Sequence, residues 1–236
     1  MKTTNLTDIP GVLDVVELEP GPAPQWTVLW LHGLGADGND FAPIVPELVR
    51  KDWPSLRFVF PHAPVRAVTI NNGARMRAWY DIRDYDLANR ADESGVLESV
   101  AQVAALIARE GERGVPASNV LLARFSQGGA VTLAAGLGRE VSLAGLVVLS
   151  AYLPFNPQAL GALAETTPPA AIRQPVFMAH GLHDPVVPFA AGTGSAARLA
   201  ALGFKTQWHA YPMAHQVCAE QIRDLGDWMT QRFASR

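Results

Sequence analysis

The sequence predicts an α/β protein built on a mostly parallel central sheet with helices on both faces. Three observations carry that prediction. Apolar runs of strand length alternate with helix-period segments along the chain. The runs are apolar throughout rather than alternating, as parallel strands covered on both faces require. The 236 residues are 49% apolar and 17% charged, a composition that builds a substantial core and argues against disorder. The length allows one large domain or two small ones. With no internal repeat, low-complexity tract or linker, residues 1–236 read as a single domain.

The elements follow in order. Val12 to Leu18 reads as an antiparallel edge strand, and Thr27 to Leu31 as the first buried one. Leu56 to Phe60 is a further strand, closed by Pro61. The connection over about residues 62–91 is far longer than a usual loop. Its Asn72-Gly73 turn signal lies between Ala67–Ile70 and Met76–Tyr80, which predicts a small hairpin serving as a lid or pocket wall. Val96, Val100, Val103 and Ile107 share one helical face, with Gly111 near the exit. Val120 to Phe125, Leu146 to Ser150 and Val176 to His180 are short strands. Phe189 to Leu202 is an Ala-rich helix that stops at Gly203. Thr206 to Tyr211 is a strand ending at Pro212. The last helix carries Cys218, Ile222, Leu225 and Met229 on its core face. Such an order implies right-handed crossovers between parallel strands.

Composition excludes several classes of function. Nineteen Lys and Arg stand against 22 Asp and Glu, a net charge of −3, so nothing favours nucleic acid or an anionic membrane surface. With Cys218 alone, neither an intrachain disulfide nor a cysteine zinc cluster can form. No run approaches the ~20 apolar residues of a membrane span. The first ten residues are polar, without the apolar stretch of a secretory signal. A cytoplasmic protein without stable membrane insertion is expected.

The most informative segment is Ala123 to Ala130, A-R-F-S-Q-G-G-A. A strand leads in and an Ala/Leu-rich helix leads out. A sharp turn there lifts Ser126 above the carboxyl edge of the sheet, with helix N–H groups facing the same space. Taken alone, S-x-G-G describes a helix cap equally well. A nucleophilic serine needs a base, and in α/β-hydrolases the partners follow in the order Ser, then Asp or Glu, then His. Between Ser126 and the last histidine the acids are Glu140, Glu165 and Asp184. Glu140 ends the following helix, and Glu165 lies in a Pro/Ala/Thr-rich loop. Asp184 sits just past the strand ending at His180, at the active edge of a parallel sheet. Of the two histidines beyond it, His209 lies inside a strand and reads as packing. His215 lies past the strand end. Elimination leaves Ser126, Asp184 and His215.

The first buried strand runs into His32-Gly33-Leu34-Gly35-Ala36-Asp37-Gly38. Its glycines let the chain fold back, so the N–H groups of Leu34 and Gln127 are the candidate oxyanion donors. His32 reads as a structural hydrogen-bonding group of this loop. The same residues spell G-x-G-x-x-G, formally a dinucleotide fingerprint, with a possible helix from Asp40. The acid expected near the end of the second strand is missing there.

Four segments together resemble the phospholipase/carboxylesterase family of small serine hydrolases. They are Leu31–Gly38, Phe125–Ala130, His180-Gly181 through Asp184–Pro188, and Tyr211–His215, with Trp79-Tyr80-Asp81 of the long excursion adding to the match. The resemblance implies an α/β-hydrolase fold without a large separate cap. It implies cleavage of carboxylic esters, and sometimes thioesters, without metal or cofactor. Ser126, Asp184 and His215 fall on the family's triad, and Leu34 and Gln127 on its oxyanion donors. A homodimer is within the family's range. The expected substrate is a small ester with an aryl or short-to-medium acyl group, held in a groove lined by Leu34, Met76, Trp79, Leu182 and Met213.

Arg124 departs from the family, which has glycine two residues before the nucleophile. A long cation there either distorts the turn, disfavours the imidazolium formed during attack, or reaches solvent or a carboxylate and does little. Two rival readings follow. One is a ligand-binding protein on a hydrolase scaffold silenced by Arg124, the other a dinucleotide-dependent oxidoreductase.

Overall fold

A computed structural model describes residues 13–84, 92–153 and 165–234. Seven strands form one sheet: β1 (Val15–Leu18), β2 (Trp26–Leu31), β3 (Leu56–Pro61), β6 (Val120–Phe125), β7 (Gly145–Leu149), β8 (Val176–Gly181) and β9 (Thr206–Tyr211). Their order is β1-β3-β2-β6-β7-β8-β9. β1 pairs antiparallel with β3, and every other pair is parallel. The expected antiparallel edge strand is therefore present over Val15–Leu18; Val12 lies outside the described residues.

β4 (Val65–Val68) and β5 (Ala74–Arg77) form the separate hairpin. The expected first arm, Ala67–Ile70, is corrected: pairing stops at Val68, and Thr69–Asn71 wind into a 3-10 turn. Asn72 and Gly73 then reverse the chain with φ of 54° and 74°. The second arm ends at Arg77, so Trp79 and Tyr80 leave the hairpin and become buried.

The helices are α1 (Val45–Leu48), α2 (Glu93–Glu112), α3 (Gln127–Leu137), α4 (Pro169–Ile172), α5 (Phe189–Ala201) and α6 (Ala219–Ala234). The period-3.6 stripe of α2 buries Val96, Val103 and Ile107, together with Leu106. Gly111 lies near the exit of α2, as expected, one residue before its end at Glu112. Gly203, at φ 91°, stops α5: its N–H and that of Phe204 return to the carbonyls of Ala200 and Leu199. The last helix begins one residue after Cys218, which precedes the core stripe of Ile222, Leu225 and Met229.

Side chains alternate across each strand and feed two cores. One, beneath α2, α3 and the excursion, contains Leu29, Leu31, Leu122, Val148 and Met178. The other, beneath α1 and α6, contains Val28, Trp30, Phe58, Leu121 and Phe177. At the β1 edge, charge replaces apolar packing. Arg113 meets both oxygens of Glu17 at 2.7 and 3.0 Å, and Arg109 meets Glu17 at 2.9 Å. Glu110 accepts from Arg57 at 2.7 Å and from Thr27 at 2.6 Å. This network clips the antiparallel strand and β3 to α2. Among the described residues no helix is long and apolar enough to cross a membrane.

Candidate active site

The parallel sheet brings distant residues to one edge. Ser126 follows β6, Asp184 follows β8, His215 follows β9 and Leu34 follows β2. All four sit past carboxyl ends of neighbouring parallel strands, where loops converge.

Ser126 occupies the strained turn between β6 and α3, with φ 56° and ψ −125°. Close packing holds it there. A Cβ on Gly129 would lie 1.7 Å from the Cβ of Ala151, and one on Gly128 would lie 3.0 Å from the carbonyl oxygen of His32. No larger residue fits either position without moving α3 away from the sheet. The Ser126 N–H donates to Leu149 at 2.9 Å, which fixes the turn against β7. The helix-cap reading of Ser126 fails, because its side chain makes no cap hydrogen bond.

The hydroxyl instead lies 2.7 Å from His215 Nε2. His215 Nδ1 lies 2.7 Å from Asp184 Oδ2. A carboxylate only accepts, so Nδ1 carries the proton and Nε2 is left to accept from Ser126. Asp184 is itself held: its Oδ1 accepts from the N–H groups of Val186 and Val187, each at 2.9 Å. His180 lies beneath it, with Nε2 2.9 Å from the Val187 carbonyl and 3.5 Å from Asp184 Oδ2. Burial lowers the pKa of His180, so a neutral ring supports the acid. Sequence reasoning passed over His180; its signal was a histidine closing an otherwise apolar strand.

The turn and loop hydrogen bonds among the described residues take up neither the Leu34 nor the Gln127 N–H. Gly35, at φ 77°, donates its N–H to Arg77 at 2.9 Å and ties the Leu34 loop to the hairpin. His32 stitches the base of this loop as expected. Nδ1 reaches the Gly33 carbonyl at 2.7 Å, and Nε2 accepts from the Ala63 N–H at 3.0 Å. Burial pushes its pKa down to about 4, so it is neutral near pH 7. The dinucleotide reading does not survive this geometry. After Gly38 the chain makes a 3-10 turn and then only the four-residue α1, so no helix opens at the glycines to receive a pyrophosphate.

The groove expected from Leu34, Met76, Trp79, Leu182 and Met213 needs correction. Leu34 and Met76 are half-buried, and Leu182 is 46% exposed. Trp79 is 0% and Met213 5% exposed, so both lie behind the wall rather than on its surface. Trp79 is a strut. Its indole N–H donates to the His32 carbonyl at 2.9 Å, and its backbone N–H donates to Gln127 Oε1 at 3.0 Å. Gln127 Nε2 donates to the Tyr80 carbonyl at 2.7 Å. The excursion is thereby bonded to the residue following Ser126. His209 is a half-buried sheet residue stacked 4.7 Å from Phe177, as its position in a strand implied.

Arg124 neither distorts the turn nor reaches solvent or a carboxylate. It is 0% exposed, on the sheet face opposite Phe125, and Nη2 donates to the Gly129 carbonyl at 2.6 Å. Nε and Nη1 have no hydrogen-bond partner. Burial drives its pKa well down, opposed only by the Tyr80 phenol. The Ser126–His215–Asp184 hydrogen bonds are in place beside it.

Comparison with known proteins identifies a family and several relatives. A family model described as phospholipase/carboxylesterase matches residues 14–232. Acyl-protein thioesterase 1 of Neurospora crassa is 37% identical over 215 residues, covering 87% of this chain and 86% of its own. Carboxylesterase SOBER1 of Arabidopsis thaliana is 35% identical over 208 residues, covering 87% and 90%. The crystal structure of SOBER1 superposes with a TM-score of 0.81 at 34% identity, over 88% of this chain and 98% of that one.

Proposed function

Since the chain belongs to the phospholipase/carboxylesterase family, we propose that it hydrolyses carboxylic esters and thioesters through an acyl-enzyme on Ser126. The observation that carries this reading is the unbroken hydrogen-bond path from Ser126 Oγ through His215 to Asp184. His215 Nε2 takes the hydroxyl proton as Ser126 Oγ attacks the carbonyl carbon. Asp184 holds the ring in the tautomer that exposes a basic Nε2, and it stabilises the imidazolium. The N–H groups of Leu34 and Gln127 receive the oxyanion. The carbon–oxygen or carbon–sulfur bond then breaks, and His215 returns its proton to the departing alcohol or thiol. Water, activated by the same nitrogen, hydrolyses the acyl-enzyme. The residues named supply every proton transfer.

The half-buried Leu34 and Met76 with the exposed Leu182 suit an aryl or short-to-medium acyl group. We place the enzyme in the cytoplasm, acting on small ester substrates. The test is treatment of the purified chain with a fluorophosphonate and location of the adduct by peptide mass spectrometry. The adduct is expected on Ser126 and is lost on denaturation or in Ser126→Ala. That variant should lose at least about a thousandfold of turnover on p-nitrophenyl butyrate. A folded protein that forms no adduct overturns the assignment.

A further inference from the structure

A groove of about 610 Å³ runs along the His215 flank, between α1 and the start of α6. Phe41, Ile44, Phe125 and Val217 form apolar parts of its lining, together with His215. Asp40 and Glu47 also line it, and no lysine or arginine does. The hydrolase reading leaves this groove unassigned.

The chemistry of that reading gives it a role. His215 Nε2 delivers its proton to the atom that leaves, so the leaving group must depart within hydrogen-bond reach of that nitrogen. A leaving group longer than a few atoms then extends over the His215 ring. The acyl group, bonded to the same tetrahedral carbon, takes a different direction, and the hydrolase reading sets it against Leu34 and Met76. The groove also has a defined charge. Two carboxylates, Asp40 and Glu47, are left without a cation among the lining residues. Carboxylates attract an onium group, and the Phe41 and Phe125 rings, packed on one another at 5.6 Å, supply apolar wall beside them.

We propose that this groove receives the leaving alcohol or thiol and favours leaving groups that carry a positive charge. The inference rests on the ester-hydrolase reading and deepens it by naming a substrate class. Exposed charge pairs are weak, and about 0.5–0.7 kcal/mol from each of the two carboxylates gives roughly a five- to tenfold preference.

The experiment compares two esters with the same acyl group. Butyrylcholine and 3,3-dimethylbutyl butyrate differ in one atom of the leaving group, a quaternary nitrogen against a carbon. p-Nitrophenyl butyrate is the reference substrate. The expected ratio of kcat/KM, cationic over neutral, is about five to ten at low salt. It should fall toward one at high salt and in Asp40→Asn/Glu47→Gln. Each ratio is internally referenced, so a general loss of activity does not imitate the effect. The salt series on the unaltered protein decides the question even where the double variant folds poorly. Equal ratios, or no turnover of either alkyl ester by a protein that cleaves p-nitrophenyl butyrate, overturn the inference and leave the hydrolase reading standing. Failure on all three esters overturns both.

Discussion

Replacing Arg124 with methionine should make the protein more stable. Methionine keeps most of the stem and removes the guanidinium. Two buried nitrogens, Nε and Nη1, have no partner, and an unsatisfied buried donor costs about 1–3 kcal/mol. Against that gain stands the charge-assisted bond to Gly129 at 2.6 Å, worth about 1.5–3 kcal/mol. The Gly129 carbonyl lies in the first turn of α3, where the helical ladder is available to it. The balance favours the variant by about 2 kcal/mol, within the range found when apolar side chains replace buried charge. For a chain of this length that raises Tm by about 4–8 °C. Glycine is the wrong substitution for this test, because it would leave the stem's volume empty. Burial disfavours the charged guanidinium, which adds to the cost of its unpaired nitrogens. Urea unfolding, with calorimetry, measures the gain. A fall of several kcal/mol in the variant would refute the reasoning, because that is the signature of breaking a compensated pair.

Two further predictions concern charge and protonation. Burial alone would raise the pKa of Glu17, but the Arg113 hydrogen bonds and the charges of Arg113, Arg109 and Arg57 outweigh it and hold the carboxyl below 4.5. Glu17→Gln should destabilise the fold by about 3 kcal/mol at pH 7. That difference should shrink as pH falls through the folded-state pKa, read as converging urea midpoints; a constant gap would show that the network is not the cause. His32 has its pKa pushed from 6.5 down to about 4, so the unfolded chain takes up a proton that the folded chain refuses. Stability should fall by up to about 3 kcal/mol between pH 6.5 and pH 4. NMR titration of the His32 ring checks the cause, and a midpoint near 6.5 would remove it.

Local signals in the chain were enough to read the succession of the sheet strands and the longer helices. Continuous apolar runs of strand length alternating with helical segments point to parallel strands covered twice, and the 3.6-residue stripe of α2 points to one buried face. The candidate triad was equally legible, because the strand–turn–helix around Ser126 and the order of acids and histidines after it leave one combination. Those signals depend on neighbours in sequence or on order along the chain. Everything that depended on which surfaces meet was decided by the tertiary structure. Trp79 reads from the sequence as a groove-lining aromatic on the long excursion, yet it is a buried strut, because Gln127 and His32 arrive from two other strand ends to take its hydrogen bonds. Glu17, Arg57 and Glu110 interrupt apolar segments in sequence, but no local pattern pairs residues so far apart. Arg124 is the sharpest case. A cation beside a nucleophile is expected to find water or an acid, and only the packing of α3 over β6 determines that it finds neither.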